Sequence, residues 1–291
     1  MILVTGATGV VGTALLPQLL AGGHQVRALV REPRRLGPQR VNVQLALVDL
    51  ADPHGLRHAV RGCDTVIHLA AAIRDQPPRR VEEINGLGTL RLLRAAERAG
   101  AQRFLFFSAL GATEFQRTRF FRSKALAEQA VLDADLDGAV FAPSIVYDRD
   151  DPWVTIMRRL ALLPLVPVSG SGRAAYQPIW AGDAASCVLA VLDRAAAPDR
   201  VELTGPETLT YEQMARAIAA AAGRDRPLVN VPLGIVHAGL SGLRRVVGEA
   251  AFATWEEAEL MEVPMTSPRG DADVRELGIE PRTMREVLAG P

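Results

Sequence analysis

Three glycines spaced three apart near the amino terminus offer a backbone surface that can hold phosphate. The run Thr5-Gly6-Ala7-Thr8-Gly9-Val10-Val11-Gly12 follows an apolar segment and begins a helical pattern. One glycine permits a tight turn, one lets the backbone approach a pyrophosphate, and one lets the helix pack closely on the sheet. The phosphates then meet unpaired N–H groups and the positive end of the helix dipole. Placed between a strand and a helix, the run predicts a dinucleotide site. The expected contacts are Gly6, Ala7, Thr8, Gly9, Val10, Val11 and Gly12.

The residue that ends the second apolar run bears on which dinucleotide binds. An Asp or Glu there would accept hydrogen bonds from the ribose 2′-hydroxyl of NAD, whereas a guanidinium pairs with the 2′-phosphate of NADP. This chain has Arg31, with Arg34 and Arg35 close behind. Glu32 opposes the assignment, because its carboxylate can turn to a 2′-hydroxyl instead. The pattern favours NADP(H) over NAD(H), with Arg31 and Arg35 as phosphate ligands.

Two further stretches end buried runs and are expected near the cofactor. Asp49 can accept the adenine amino group, and the alternative is an acidic start for the helix that follows Asp52. The small residues after His68 let the backbone lie near the cofactor ribose, while His68 itself reads as a hydrogen-bonded core histidine. The cofactor-contacting positions from these stretches are Asp49, Leu50, Leu69, Ala70 and Ala71.

Alternating strands and helices position these residues. Apolar runs rich in Val, Ile, Leu and Phe predict buried strands at 2–4, 25–30, 43–47, 65–69, 103–107 and 138–141. Helical patterns separate them at 11–21, 53–60, 80–98 and 118–134. Continuous rather than alternating apolar strands are typical of a parallel sheet covered on both faces. The fold class is therefore α/β, a doubly wound parallel sheet of the Rossmann type with a smaller C-terminal lid.

The regular alternation of predicted strands and helices is interrupted in the second half of the chain. Helices are predicted at 153–162, 183–194, 211–222 and 283–288, strands at 201–203 and 228–231, and a loop at 164–172. We expect the dinucleotide-binding domain to comprise residues 1–150 and about 174–205. Residues 151–173 and 206–291 are expected to form the small substrate-binding lid.

Composition excludes several other classes of protein. The 291 residues carry a formal net charge of zero, so the basic surface of a nucleic-acid binder is not expected. No basic and apolar leader opens the sequence, and the most apolar later stretch is too short for a membrane span. Cys63 and Cys187 lie in unrelated segments and read as small buried apolar residues, so no metal site is predicted. A reducing cytoplasm fits these features.

Taken together, the residues resemble the extended and atypical short-chain dehydrogenase/reductases. The likeness is carried in order by Thr5–Gly12, Asp49-Leu50, His68–Ala71, Asn85 with Gly88-Thr89, Ser108, Lys124, Pro143-Ser144, Gln177–Trp180 and Asp183. The runs Ala28–Arg31 and Ser108–Ala112 resemble one atypical branch, which includes the reductase-like accessory subunit of respiratory complex I. The resemblance implies that Pro143 and Ser144 also contact the cofactor.

The family's catalytic signature is incomplete here. Its Tyr-x-x-x-Lys pair lies on the helix after the fifth strand, where the Lys holds the nicotinamide ribose and lowers the pKa of the Tyr hydroxyl. The hydroxyl exchanges a proton with the substrate oxygen while hydride moves. This chain keeps Lys124, its one lysine among 33 basic residues, but Phe120 occupies the Tyr position. The resemblance leaves Ser108 and Lys124 as the catalytic candidates, with Lys124 also a cofactor ligand.

Two functions of different kinds remain open. One is an NADP-dependent oxidoreductase of a carbonyl or quinone-like substrate, its proton supplied by Ser108, by water, or by Tyr147 or Tyr176 from the lid. The other is a non-catalytic NADP(H)-binding redox sensor, assembly factor or structural subunit. A sugar-nucleotide epimerase or dehydratase needs the Tyr hydroxyl as its base, so Phe120 counts against that activity. The substrate or protein partner is not named by the sequence.

Overall fold

The computed structural model describes residues 1–76, 78–232, 234–235 and 259–290. Its strands are β1 Ile2–Thr5, β2 Val26–Leu29, β3 Gln44–Ala46, β4 Thr65–His68, β5 Arg103–Phe107, β6 Asp137–Pro143, β7 Val146–Tyr147, β8 Val166–Ser169, β9 Ala175–Tyr176, β10 Ile179–Trp180, β11 Arg200–Leu203, β12 Leu209–Thr210 and β13 Leu228–Val231. Its α-helices are α1 Val10–Ala21, α2 Pro53–Val60, α3 Gly88–Ala99, α4 Arg119–Leu132, α5 Pro152–Leu160, α6 Ala181–Leu192, α7 Tyr211–Ala221, α8 Ala272–Glu276 and α9 Met284–Ala289.

Seven parallel strands form the central sheet, in the order β11-β6-β5-β4-β1-β2-β3. The direction of winding reverses between β1 and β4, because β2 lies on one side of β1 and β4 on the other. In open α/β sheets the carboxyl ends of strands at such a point form the ligand-binding crevice. The doubly wound parallel sheet predicted from the sequence is confirmed.

Apolar side chains cover both faces of the sheet. On one face α1 and α6 pack together over a cluster that includes Val4, Leu15 and Val188. On the other, α2 and α3 pack over a cluster that includes Leu3, Leu56 and Phe104. Burial on both sides explains why these strands are apolar throughout rather than alternating.

A third apolar cluster belongs mainly to the second half of the chain. Tyr147, Tyr176 and Met214 lie at its centre, and Phe121 of α4 joins it from the first half. The strand and helices predicted at 228–231, 211–222 and 283–288 are confirmed within two residues. The division into a sheet domain and a lid stays a prediction, and residues 236–258 of that lid lie outside the described residues.

Two local expectations are wrong. The predicted loop at 164–172 contains β8, which pairs in parallel with β13 and buries Val166 and Val168. Pro167 is tolerated because a strand with one free edge needs fewer N–H donors. The helix predicted at 80–98 instead opens with a π-helical turn, Glu83–Leu87, before α3 begins. In the described part of the chain, no helix has the length and apolar character needed to cross a membrane.

Candidate dinucleotide-binding site

The glycine turn that follows β1 forms the first wall of the site. Gly6 has a positive φ of 72°, and a Cβ there would lie 2.6 Å from the backbone nitrogen of Ala70. A Cβ on Gly12 would lie 2.3 Å from the carbonyl oxygen of Gly6. Both contacts are shorter than any real Cβ contact, so these two glycines set the closeness of turn, helix and neighbouring strand. Gly9 precedes α1 without a side-chain cap, which leaves the first N–H groups of the helix for a ligand.

An open cleft of about 650 Å³ lies against this turn. Its size is ordinary for a cofactor site. Ten of the sequence-predicted contacts line it: Gly6, Thr8, Gly9, Arg31, Arg35, Asp49, Leu50, Leu69, Ala70 and Ala71. Ala7 and Gly12 are buried behind the turn, and Val10 and Val11 begin α1. The volume and the glycine-containing turn fit a phosphate-containing dinucleotide.

Sequence reasoning missed one whole wall of the cleft. That wall comes from the segment after β4 and from the start of α3, and it contributes Gln76, Pro78, Arg79, Glu83, Ile84 and Arg91. Backbone hydrogen bonds of 2.9 and 2.7 Å between Gln76 and Arg79 close a short hairpin. The dense Gln, Pro and Arg composition of residues 76–80 was the one signal available for it.

Arg31, Arg35, Asp49 and Arg79 form what we call the arginine end of the cleft. Arg31 Nη1 donates a hydrogen bond to Gln76 Oε1 at 3.1 Å, and Arg79 makes an ion pair with Asp49. Burial raises the pKa of Asp49, but hydrogen bonds from Arg79 and the Ala51 N–H and the charges of Arg79 and Arg31 outweigh it. The pKa of this carboxyl therefore lies below its ordinary value.

The alternative helix-capping role of Asp49 is taken by another residue. The carboxylate of Asp52 accepts hydrogen bonds from the backbone N–H groups of His54 and Gly55, each at 3.0 Å, and so caps α2. Asp49 accepts one local hydrogen bond, from the Ala51 N–H at 2.8 Å. Its side chain is left facing the cleft and Arg79.

A hydrogen-bonded series under the cleft, the His68 relay, joins Ala70, Thr5, His68, Thr89 and Asn85. The Thr89 hydroxyl donates to the Asn85 carbonyl at 2.6 Å, so it accepts from His68 Nε2 at 2.9 Å. Nδ1 then accepts from the Thr5 hydroxyl at 2.6 Å, whose oxygen accepts from the Ala70 N–H at 3.3 Å. Burial, and secondarily the charge of Lys124, lowers the pKa of His68 to about 3. The ring is a neutral structural link, as the sequence reading favoured.

Ser108, Phe120 and Lys124 form the lysine end, at the carboxyl end of β5. The ammonium of Lys124 is buried, donates to the Phe107 carbonyl at 2.6 Å and lies 4.7 Å from the centre of the Phe106 ring. Burial lowers its pKa to about 7, although the charge of Glu128 one turn later acts in the opposite direction. Phe120 lies on the same face of α4, its ring centre 6.0 Å from Nζ.

The other residues predicted beside the lysine end differ in what their polar atoms do. The Ser108 hydroxyl is buried and has no hydrogen-bond partner, while its backbone N–H donates to Phe141. The Ser144 hydroxyl donates to the Met265 carbonyl at 2.7 Å and accepts from the Gln177 N–H at 3.0 Å. Ser144 thus holds two segments together, and Pro143 ends β6 beside it. Ser108, Lys124, Pro143 and Ser144 are buried outside the lining of the 650 Å³ cleft.

The chain's three tyrosines all lie in the described residues, and none is hydrogen-bonded to Ser108 or Lys124. The Tyr147 hydroxyl is buried without a partner, and burial and nearby carboxylates, Asp183 first, raise its pKa. Tyr176 donates to the Met261 carbonyl, and Tyr211 donates to the sulfur of Met157 at 3.9 Å. None of the three tyrosine hydroxyls therefore substitutes for the hydroxyl group that Phe120 lacks.

Comparison with known proteins agrees with this geometry. Residues 6–160 match the family model described as NAD(P)H-binding. The chain is 30% identical to the ceramide reductase of Caulobacter vibrioides, over 82% of this chain and 76% of that protein. It is 29% identical to the mitochondrial NADH dehydrogenase (ubiquinone) 1 alpha subcomplex subunit 9 of Arabidopsis thaliana, over 73% of this chain and 55% of that one. It spans only 27% of the length of three mycobacterial relatives.

Solved structures show the same fold over the whole chain. The UDP-glucose 4-epimerase of Thermus thermophilus, in complex with NAD, superposes with a TM-score of 0.74 at 22% identity. That alignment covers 99% of this chain and 96% of the epimerase.

Proposed function

The chain belongs to the NAD(P)H-binding family of short-chain dehydrogenase/reductase-like proteins, and we propose that it is an NADP(H)-dependent reductase of a carbonyl or quinone-like substrate. The observation that carries the cofactor preference is the charge of the cleft wall after β2. Arg31 and Arg35 line the cleft, whereas the opposing Glu32 is exposed outside its lining. A dianionic 2′-phosphate pairs with such guanidinium groups, and a neutral 2′-hydroxyl gains much less from them.

In this proposal, different residues contact different parts of the bound cofactor. The turn of Gly6, Thr8 and Gly9 faces the pyrophosphate, with the N-terminus of α1 behind it. Asp49 and Leu50 face the adenine, and Leu69, Ala70 and Ala71 line the cleft where the cofactor ribose is proposed to lie. Bound NADPH supplies hydride.

At the lysine end we assign Ser108 to hydrogen-bond the substrate oxygen and Lys124 to donate the proton to it. The unpartnered hydroxyl of Ser108 is free to donate a hydrogen bond to a substrate oxygen. Lys124 Nζ, with its pKa lowered to about 7 by burial, can release a proton near neutral pH. An ordinary lysine, with a pKa near 10.5, would release it much less readily. The reductase name of the Caulobacter relative supports the assignment of reduction.

A non-catalytic NADP(H)-binding protein is the second candidate, and Phe120 is the observation that favours it. With Phe120 beside Lys124 and no tyrosine hydroxyl bonded there, the family's proton donor is missing. The Arabidopsis relative is by name a subunit of a larger assembly, which supports the same alternative. A reducing cytoplasm, in which Cys63 and Cys187 stay free thiols, is the compartment we propose for either function.

Binding of NADPH and NADH to the purified protein tests the cofactor assignment. We expect NADPH to bind roughly tenfold tighter or more, because a charge-assisted hydrogen-bond pair contributes about 1.5–3 kcal/mol. Arg31→Ala removes the preference, whereas Arg34→Ala, next to the site but outside the cleft lining, retains it. Equal dissociation constants for the two dinucleotides in calorimetry of the unmodified protein contradict the NADP(H) assignment.

A further inference from the structure

Arg79 brings a second cation to the wall of the cleft opposite Arg31. It is the last residue of a short hairpin whose first residue, Gln76, accepts the hydrogen bond from Arg31. The side chain of Arg79 reaches Asp49, and the charge of Arg31 also acts on that carboxylate. Arg31, Gln76, Arg79 and Asp49 therefore surround one part of the cleft, the part where the 2′-phosphate is proposed to bind.

The charge of Asp49 conflicts with that proposed ligand. A carboxylate close to a dianion repels it, and the repulsion is larger in a cleft than in open water. Glu83 is the other carboxylate in the lining, and it accepts a hydrogen bond from the Arg80 N–H at 3.1 Å. With Asp49 paired, three further guanidinium groups of the lining, those of Arg31, Arg35 and Arg91, outnumber the one remaining carboxylate, Glu83.

Stability alone does not account for the Arg79–Asp49 pair. About a third of each side chain is exposed, 36% for Arg79 and 31% for Asp49. Ion pairs exposed to this degree contribute little to folding. The hairpin itself is held by backbone hydrogen bonds between residues 76 and 79, so it does not depend on the Arg79 side chain.

We propose that Arg79 is a specificity-determining residue: by neutralising Asp49 it lets the cleft accept a 2′-phosphorylated dinucleotide while Asp49 stays available to the adenine. The inference rests on the proposed NADP(H) preference and extends it to a residue on the opposite wall. Arg79 acts through Asp49, as a positioning and charge-compensating residue, and Arg31 remains the direct phosphate ligand.

A four-variant binding cycle tests the inference. Dissociation constants for NADPH and NADH are measured on the unmodified protein, Arg79→Gln, Asp49→Asn and the double variant. The ratio of the two constants is the readout, because any loss of adenine contact affects both dinucleotides equally. Arg79→Gln is expected to lower the NADPH preference about five- to tenfold, the effect of one exposed carboxylate near a dianion at high effective dielectric. The double variant is expected to recover it.

Controls separate this inference from the proposed function. Arg94→Gln removes one positive charge from an exposed position of α3 outside the cleft lining and is expected to leave the ratio unchanged. If the unmodified protein shows no preference, the proposed NADP(H) function fails and the inference falls with it. If the unmodified protein prefers NADPH but Arg79→Gln keeps that preference, the inference alone is overturned. The same holds if adding Asp49→Asn to Arg79→Gln fails to restore the preference.

Discussion

The arginine end and the lysine end of this site differ in solvent exposure and in the kinds of chemical group they present. The arginine end is open and polar, and it presents several partly exposed guanidinium groups beside the Asp49 carboxylate. The lysine end is buried, and its chemistry rests on one ammonium and one unpartnered hydroxyl, with Phe120 beside them. In the proposed function, cofactor binding is thus shared among many groups, whereas proton transfer depends on very few. A single aromatic substitution can remove the usual catalytic acid and leave the nucleotide site intact.

The largest effect is expected from Gly12→Ala, a change behind the glycine turn that borders the cleft. Its Cβ would lie 2.3 Å from the Gly6 carbonyl oxygen, so the turn must move away from α1. Loss of one or two charge-assisted hydrogen bonds from the turn, each contributing about 1.5–3 kcal/mol, is expected to lower NADPH affinity about a hundredfold. Isothermal titration with NADPH, with circular dichroism to check folding, measures it.

Gly86→Ala is the matched control for that loss. A Cβ at Gly86 meets no atom within 4 Å, so the variant is expected to bind NADPH normally. Normal binding by Gly12→Ala would mean that the closeness of turn and helix is not what holds the pyrophosphate.

The next largest effect concerns the lysine end, through Phe120→Tyr. A tyrosine hydroxyl restores a general acid beside Lys124, and such a group contributes roughly a hundredfold or more to turnover. We expect the rate of NADPH oxidation on a carbonyl and quinone panel to rise by about that factor. Affinity for NADPH should stay the same, because the arginine end is untouched.

Phe115→Tyr adds the same hydroxyl at a ring that is 88% exposed, and no rate gain is expected from it. An unchanged rate in Phe120→Tyr, with NADPH still bound, would favour the non-catalytic binding protein over the reductase.

The smallest effect is a pH dependence that belongs to Lys124. If its ammonium supplies the proton, turnover falls about fivefold between pH 7 and pH 8 as a group with a pKa near 7 is deprotonated. Because Lys124 is the chain's only lysine, carbon-13 labelling of lysine gives one side-chain NMR signal to titrate. It should titrate near pH 7 in the folded protein.

The same shift has a consequence for stability, with a fixed sign. Between pH 7 and 10.5 the unfolded chain holds the Lys124 proton and the folded chain does not, so the free energy of unfolding increases with pH. Lys124→Met should remove this increase. A lysine signal that titrates near 10 in the folded protein would rule out Lys124 as the proton source.

The sequence was sufficient for the sheet and for one side of the cleft. Apolar runs buried on both faces identified the parallel strands, and glycines between a strand and a helix identified the turn at Gly6. Arg31 and Asp49 could be placed because each follows the end of a strand, and the carboxyl ends of parallel strands meet at one edge.

What remained unpredicted depends on contacts between distant segments. Arg79 faces Asp49 only because the hairpin after β4 folds back over the cleft, and no local pattern encodes that approach. The Ser144 hydroxyl is satisfied by Met265, which lies 121 residues further along the chain. β8 was missed because its partner β13 begins 62 residues further along the chain, with Leu228 opposite Val166, and because Pro167 interrupts its pattern.

The His68 relay has one more consequence, which concerns how β1 and α3 are held together beneath the cleft. Every proton in the relay has a fixed direction, from the Ala70 amide through Thr5 and His68 to the Asn85 carbonyl. Its imidazole stays uncharged down to about pH 3. The floor of the cleft therefore holds the end of β1, where the glycine turn begins, against the start of α3 through hydrogen bonds that keep the same direction over the pH range in which Lys124 titrates.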